Sequence, residues 1–154
     1  MDVQIKDMPE FRVAAVAHVG PYNQISEAFA RLGEIAARAN LFGPQAAMIG
    51  IYYDDPETTP AAELRSDAAI VVSETTALPP EVVERRLPAG RYASTTLVGP
   101  YERLADTWAR FMGEWLPRSG QRLNNGVSYE LYRNTPNQVP PDKLVTELYA
   151  QLTS

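Results

Sequence analysis

HVGPY at residues 18–22 and LVGPY at residues 97–101 are nearly the same five residues, met early and late in one chain of 154. Gly20 and Gly99 lie 79 residues apart. Sliding the chain by that distance sets MPEFRVAAVAHVGPY (8–22) on LPAGRYASTTLVGPY (87–101) without a gap. Pro9 then falls on Pro88, Arg12 on Arg91 and Ala14 on Ala93. Farther on, IYYDDP (51–56) meets ELYRNTP (130–136) after one insertion, and TPAAELRSD (59–67) resembles PPDKLVTE (140–147). Chance can supply one block twice. The same order of elements around both copies indicates a duplication.

Each copy reads as the same series. A strand opens it, DVQIK (2–6) or EVVERRL (81–87). A turn at Pro9 or Pro88 leads into a second strand, RVAAVAHV (12–19) or RYASTTLV (91–98). Gly-Pro then breaks the strand and feeds a helix start. The first helix carries Ile25, Ala28, Phe29, Leu32, Ile35, Ala36 and Ala39 at spacings of three and four. The second carries Leu104, Trp108, Phe111, Met112 and Trp115 in the same way. NLFGP (40–44) and LPRSG (116–120) supply the stop signals. A third strand follows, MIGIYYD (48–54) or VSYELYR (127–133), then a Pro-rich loop and a short helical turn. In the first copy Thr59 is the N-cap candidate, with Pro60 as the first helical residue. AAIVVS (68–73) and TELYAQL (146–152) close the copies.

The expected fold class is therefore α+β. Tandem pseudo-symmetric β-β-α-β-β units, residues 1–74 and 80–153, share an antiparallel sheet with helices on one face. ETTALPPE (74–81) links them, and the link is short enough that 1–154 acts as one domain. Four short strands with one helix bury only one side, so a concave surface is expected at the joint, a common place for a ligand.

Composition narrows the function classes. Hydrophobic content of 45% and charged content of 21% suit a globular core. A net charge of −5 argues against nonspecific binding to DNA, RNA or anionic membranes and leaves room for cationic ligands. There is no cysteine and one histidine, so no disulfide, no thiolate nucleophile and no transition-metal site of the usual type is expected. No Gly-rich phosphate loop is present, and no cofactor is expected. MDVQIKDMPEF lacks the pattern of a signal peptide, and the longest apolar run, AAIVV (68–72), is far too short to cross a bilayer. Cytoplasmic residence is the default expectation.

The same residues carry a resemblance. The chain resembles the GyrI-like family, the gyrase-inhibitory and effector-binding domain also found at the C-terminus of AraC-type and MerR-type multidrug regulators. The features are HVGPY before a helix, IYYDDPETTPAAELRSDAAI (51–70), and SYELY (128–132) followed by TELYAQL. The middle stretch is the most specific, and the likeness covers residues 1–153. It implies the Rob C-terminal, effector-binding-like fold with a ligand cavity between the halves. It also implies a stand-alone member, because no residues are left for a helix-turn-helix. The partners implied are small hydrophobic, often cationic or polyaromatic compounds, and DNA gyrase. Direct contact with nucleic acid or membrane is not expected.

Strand parity points to one carboxylate. In VSYELYR, Ser128, Glu130 and Tyr132 share one face, and Val127, Tyr129 and Leu131 the other. The apolar set is expected to meet the helices, leaving Glu130 and Tyr132 to line the concavity. In the resembling family a Glu in this F/Y-E-x-Y strand is the acidic residue of the drug pocket, and Glu130 matches it. A shift of 79 makes Ile51 its counterpart in the first copy and matches Tyr53 to Tyr132. Tyr149 and Glu147 share a face of the last strand, and Asp67 stands in the place of Glu147. Trp108 sits where the family often has an aromatic; its helical neighbours fit a core role equally well. The expected walls of the cavity are Tyr53, Tyr132, Tyr149 and Trp108, with Glu147 nearby. A carboxylate among aromatic rings suits a flat cation. His18 reads as a strand residue rather than a base, and ERR (84–86) with Arg91 as solvated charge.

Two functions stay open. One is a binding module for such compounds, modulating gyrase or protecting against toxic compounds. The other, implied by some family members, is hydrolysis of cyclopropane-bearing genotoxins. There Glu130 would be the catalytic acid/base and a Tyr would orient it. The same Glu serves both.

Overall fold

The computed structural model describes residues 1–44 and 46–153, apart from the side chains of residues 125 and 126. The chain forms two compact units. The N-terminal unit is Glu10–Pro88. The C-terminal unit is Ala89–Ser154 together with Met1–Pro9.

The N-terminal unit holds β2 (Phe11–Val19), α1 (Ser26–Arg38), β3 (Met48–Tyr52), β4 (Arg65–Val71) and β5 (Val83–Leu87). Its strands lie in the order β3-β4-β2-β5, all antiparallel. The C-terminal unit holds β1 (Gln4–Met8), β6 (Gly90–Val98), α2 (Leu104–Arg110), α3 (Leu116–Ser119), β7 (Leu123–Tyr132) and β8 (Val145–Leu152). Its order is β7-β8-β6-β1, again antiparallel. The opening strand of each sequence copy is thus found in the unit of the other copy. β1 pairs with β6, and β5 pairs with β2. The compact units therefore cut across residues 1–74 and 80–153 at this one strand.

The two VGPY blocks take one conformation. Gly20 and Gly99 have φ of +132° and +149°, a region that L side chains rarely adopt. At Gly99 a Cβ would also lie 3.1 Å from the Arg103 guanidinium. Each Gly N–H donates to the residue before a strand of its own unit, Gly20 to Leu64 O and Gly99 to Leu144 O, both at 2.8 Å. Pro21 and Pro100 continue extended and start a 3-10 turn, Tyr22–Gln24 or Tyr101–Arg103, before the helix proper. Other repeated positions fasten the chain in similar ways. Arg12 reaches the carbonyls of Ser73 and Thr76 beyond β4, and Arg91 that of Thr153 beyond β8. Asp54 accepts from the Arg65 N–H, and Asn134 from the Val145 N–H, each at 2.8 Å.

α1 buries Ala28, Leu32, Ile35 and Ala36 on Ala14, Val16, Ala68 and Ile70. It ends at Asn40, whose left-handed backbone (φ 57°) suits an Asn. The second helix runs unbroken from Leu104 to Ser119 but is not α-helical throughout. Between α2 and α3, residues Phe111–Trp115 form a π-helical segment. Pro117 lies at the start of α3 and has no N–H for the carbonyl of Gly113, four residues back. The short turn after β3 also differs from expectation. It is a single 3-10 turn, Ala61–Glu63, with Pro60 as its cap and no side-chain bond from Thr59.

Candidate functional site

Strand register in the C-terminal unit decides which side chains meet. Across β6, β8 and β7 the rows are Ala93–Ala150–Ser128, Thr95–Leu148–Glu130 and Leu97–Thr146–Tyr132. Ala93, Leu97, Leu148, Ala150 and Leu152 pack on Phe111, Trp108, Leu104, Met112 and Trp115. This is the face under the helix, and Glu130 is on it. The expectation that Val127, Tyr129 and Leu131 meet the helix is therefore reversed. Both faces of the sheet bury large side chains, so hydrophobic alternation in one strand did not tell them apart.

Glu130 is 3% exposed. The Trp108 indole N–H donates to its Oε2 at 2.6 Å, and the Tyr132 hydroxyl donates to Oε1 at 2.7 Å. The ring of Tyr101, the tyrosine of the second VGPY block, meets Tyr132 edge-on at 5.7 Å. Burial, and next the charge of Glu130, raise the Tyr101 hydroxyl above its ordinary pKa. Trp108 in turn lies 5.8 Å from Phe111, ring to ring. Trp108 thus joins both alternatives read from the sequence: its ring belongs to the core and its N–H to the carboxylate. Both of these donors are neutral groups, an indole N–H and a phenol.

The N-terminal unit repeats the frame without the acid. Its rows are Ala14–Ile70–Met48, Val16–Ala68–Gly50 and His18–Ser66–Tyr52. Gly50, not Ile51, stands where Glu130 stands. Tyr52, not Tyr53, matches Tyr132. The inserted residue displaces the later strands by one position, which a fixed shift of 79 misses. Phe29 and Tyr22 are the counterparts of Trp108 and Tyr101 in the sequence. Tyr22 packs on Tyr52 at 4.8 Å, and its hydroxyl donates to the Asp54 carbonyl at 2.8 Å. His18 has one ring nitrogen, Nε2, 3.1 Å from the Pro21 carbonyl.

The other face of each sheet carries the remaining candidates. In the C-terminal unit Tyr149 stacks on Tyr129 at 4.8 Å, and Tyr92 packs edge-on against both. The Tyr149 hydroxyl donates to Glu147 at 2.5 Å, and Arg133 pairs with the same carboxylate at 2.6 Å. Burial works to raise the Glu147 carboxyl, but Arg133 and Tyr149 outweigh it and hold the group below its usual range. Burial, and next Glu147 itself, push the Tyr149 hydroxyl up to about 12. Lys6 lies 5.8 Å over the Tyr149 ring. In the N-terminal unit the Tyr53 hydroxyl donates to Asp67, and Arg85 donates to the same oxygen at 2.9 Å. Burial first, then Asp67, raise the Tyr53 hydroxyl well above its ordinary pKa. Tyr149 and Glu147 therefore lie on the face opposite Glu130, and Tyr53 serves Asp67. Of the expected set the structure brings Trp108 and Tyr132 to Glu130. Tyr101 was missed, although the repeated VGPY block pointed at it. The basic cluster is paired as well: Arg85 with Asp67, and Arg86 with Glu74 and Glu10.

The fold and the family match together make this a small-molecule binding class of domain. The GyrI-like small molecule binding domain matches residues 1–153, and the chain belongs to that family. A protein of Yersinia enterocolitica named DNA gyrase inhibitor is 32% identical over 135 residues, 84% of either chain. The EcmrR C-terminal domain has a similar fold, with a TM-score of 0.80 at 17% identity, covering 99% of this chain and 98% of that one. SAV2435, solved bound to tetraphenylphosphonium, has a TM-score of 0.70 at 12% identity, covering 100% of this chain and 95% of that one. Among the described residues no helix is long and apolar enough to cross a membrane.

Proposed function

We propose that this small-molecule binding domain takes a hydrophobic organic cation with aromatic substituents, and that Glu130 is its charge partner. The observation that supports this most is the Glu130 carboxylate itself, 3% exposed and hydrogen-bonded by Trp108 and Tyr132. Aromatic faces favour a cation, and Coulomb attraction is several-fold stronger there than in water. Tyr101, Tyr132 and Trp108 supply the rings. The tetraphenylphosphonium held by SAV2435 is a ligand of this kind.

The test is calorimetric titration with tetraphenylphosphonium. Wild type is expected to bind it, and Glu130→Gln to weaken it by about tenfold to a hundredfold, through loss of the Coulomb attraction between cation and carboxylate in a partly buried site. Equal affinity of the two proteins would remove Glu130 from the site.

The name of the Yersinia relative favours a second reading, in which the chain also acts on DNA gyrase. The chain is acidic, so its effect is expected to need the enzyme rather than the DNA. A supercoiling assay with purified gyrase, beside a duplex-DNA binding assay, checks both halves. Inhibition in the first with no binding in the second is the expected pair.

A further inference from the structure

Two side-chain hydroxyls among the described residues are buried without a hydrogen-bond partner, those of Ser66 and Thr146. They occupy the same place in the two units. Ser66 lies between His18 and Tyr52 in its row, and Thr146 between Leu97 and Tyr132. Both face the helix. Thr146 is completely buried. Its row neighbour Tyr132 spends its hydroxyl on Glu130. The contrast with Thr95 is direct. Thr95 stands one row away on the same face, and its hydroxyl donates to the Asp2 carbonyl at 2.8 Å. A valine at 146 would fill the same volume with no polar atom to desolvate, so the hydroxyl is a cost to the fold.

Resting on the reading of Glu130 as a cation site, we propose that Thr146 contacts the ligand and that the cation carries its own N–H donors. Thr146 is the diagonal neighbour of Glu130 across the β7–β8 pair, about 7–8 Å away between backbones and less between side chains. An amidinium or guanidinium presents N–H groups in more than one direction. One reaches the carboxylate and another the Thr146 oxygen. A quaternary cation meets the charge and leaves the hydroxyl as it was. The class indicated is therefore an aromatic amidinium, guanidinium or protonated amine.

Two probes separate the possibilities: tetraphenylphosphonium, which has no N–H, and pentamidine, an aromatic amidinium. Each is titrated into wild type, Thr146→Val, Thr146→Ser and Glu130→Gln. Thr146→Val is expected to weaken pentamidine about tenfold, the worth of one such bond. It should leave tetraphenylphosphonium within about twofold, and Thr146→Ser should restore pentamidine. The same valine variant is expected to melt about 2 °C higher than wild type, because the desolvated hydroxyl is gone. A lower melting temperature would show a structural partner for the hydroxyl and overturn the proposal. So would a valine variant that weakens both probes equally, or neither, while Glu130→Gln weakens both. If Glu130→Gln changes neither probe, the cation site itself falls and this inference with it.

Discussion

The two units differ most in the row under the helix. In the N-terminal unit it reads Val16–Ala68–Gly50, and in the C-terminal unit Thr95–Leu148–Glu130. Around it the frames correspond, with Tyr52 and Tyr132 on the third strand and Tyr22 and Tyr101 before the helix. Their uses have diverged. Tyr22 is tied to backbone through its hydroxyl, whereas no described residue hydrogen-bonds the hydroxyl of Tyr101. Phe29 has become Trp108, and its N–H is what the carboxylate accepts. One frame thus serves as packing in one unit and as a polar site in the other. The faces away from the helices invert the balance. Asp67 is almost fully buried with Tyr53 and Arg85, while Glu147 is more open beside Tyr149 and Arg133.

Breaking the ion pair of the buried Asp67 on the N-terminal side is expected to cost most. Asp67→Asn leaves Arg85 and the Tyr53 hydroxyl facing an amide, and should destabilise by about 2–3 kcal/mol in urea unfolding. A loss well under that would mean Arg85, which is half-exposed, keeps its hydration. Next comes Tyr22→Phe, at about 1–2 kcal/mol, since the Asp54 carbonyl and N–H lose their partner. Glu147→Gln should cost about 1 kcal/mol at neutral pH, because its ion pair is partly solvated. The carboxyl is held below its usual range in the folded protein. Its contribution is therefore present above the unfolded value of about 4.3 and is lost as pH falls through the lower folded value. The stability gap between wild type and Glu147→Gln should close on acidification, and a gap that widens would contradict the assignment. The smallest effect on folding is expected from Tyr101→Phe, within about 0.5 kcal/mol. If it matched Tyr22→Phe, the two tyrosines would not have diverged as described.

Much of this was legible in the sequence. VGPY announced two equivalent strand-to-helix turns because only glycine takes the required φ, and the order of strands and helices followed. Glu130 was singled out by strand parity in VSYELYR together with the family resemblance. What escaped was whatever depends on pairing between distant strands. A single strand does not reveal that β1 pairs with β6 rather than β2. Nor does it reveal that the Glu130 face lies under the helix when Tyr129 and Tyr149 bury the opposite face as well. The one-residue insertion hid Gly50 behind Ile51. The π-helical segment needed Pro117 to be read as a breaker inside the helix rather than as its end.

The most direct measurement uses the indole of Trp108. The chain has two tryptophans, so a ¹⁵N-labelled sample gives two indole N–H resonances. Trp108 donates to Glu130, and no described hydrogen bond involves the Trp115 indole. With tetraphenylphosphonium added in steps, the Trp108 resonance is expected to shift saturably and the Trp115 resonance to move much less. In Glu130→Gln the Trp108 resonance should start at a different position and respond only at far higher concentration. A Trp108 signal that stays fixed while the cation binds, or that responds identically in Glu130→Gln, would show that the cation does not bind at this carboxylate.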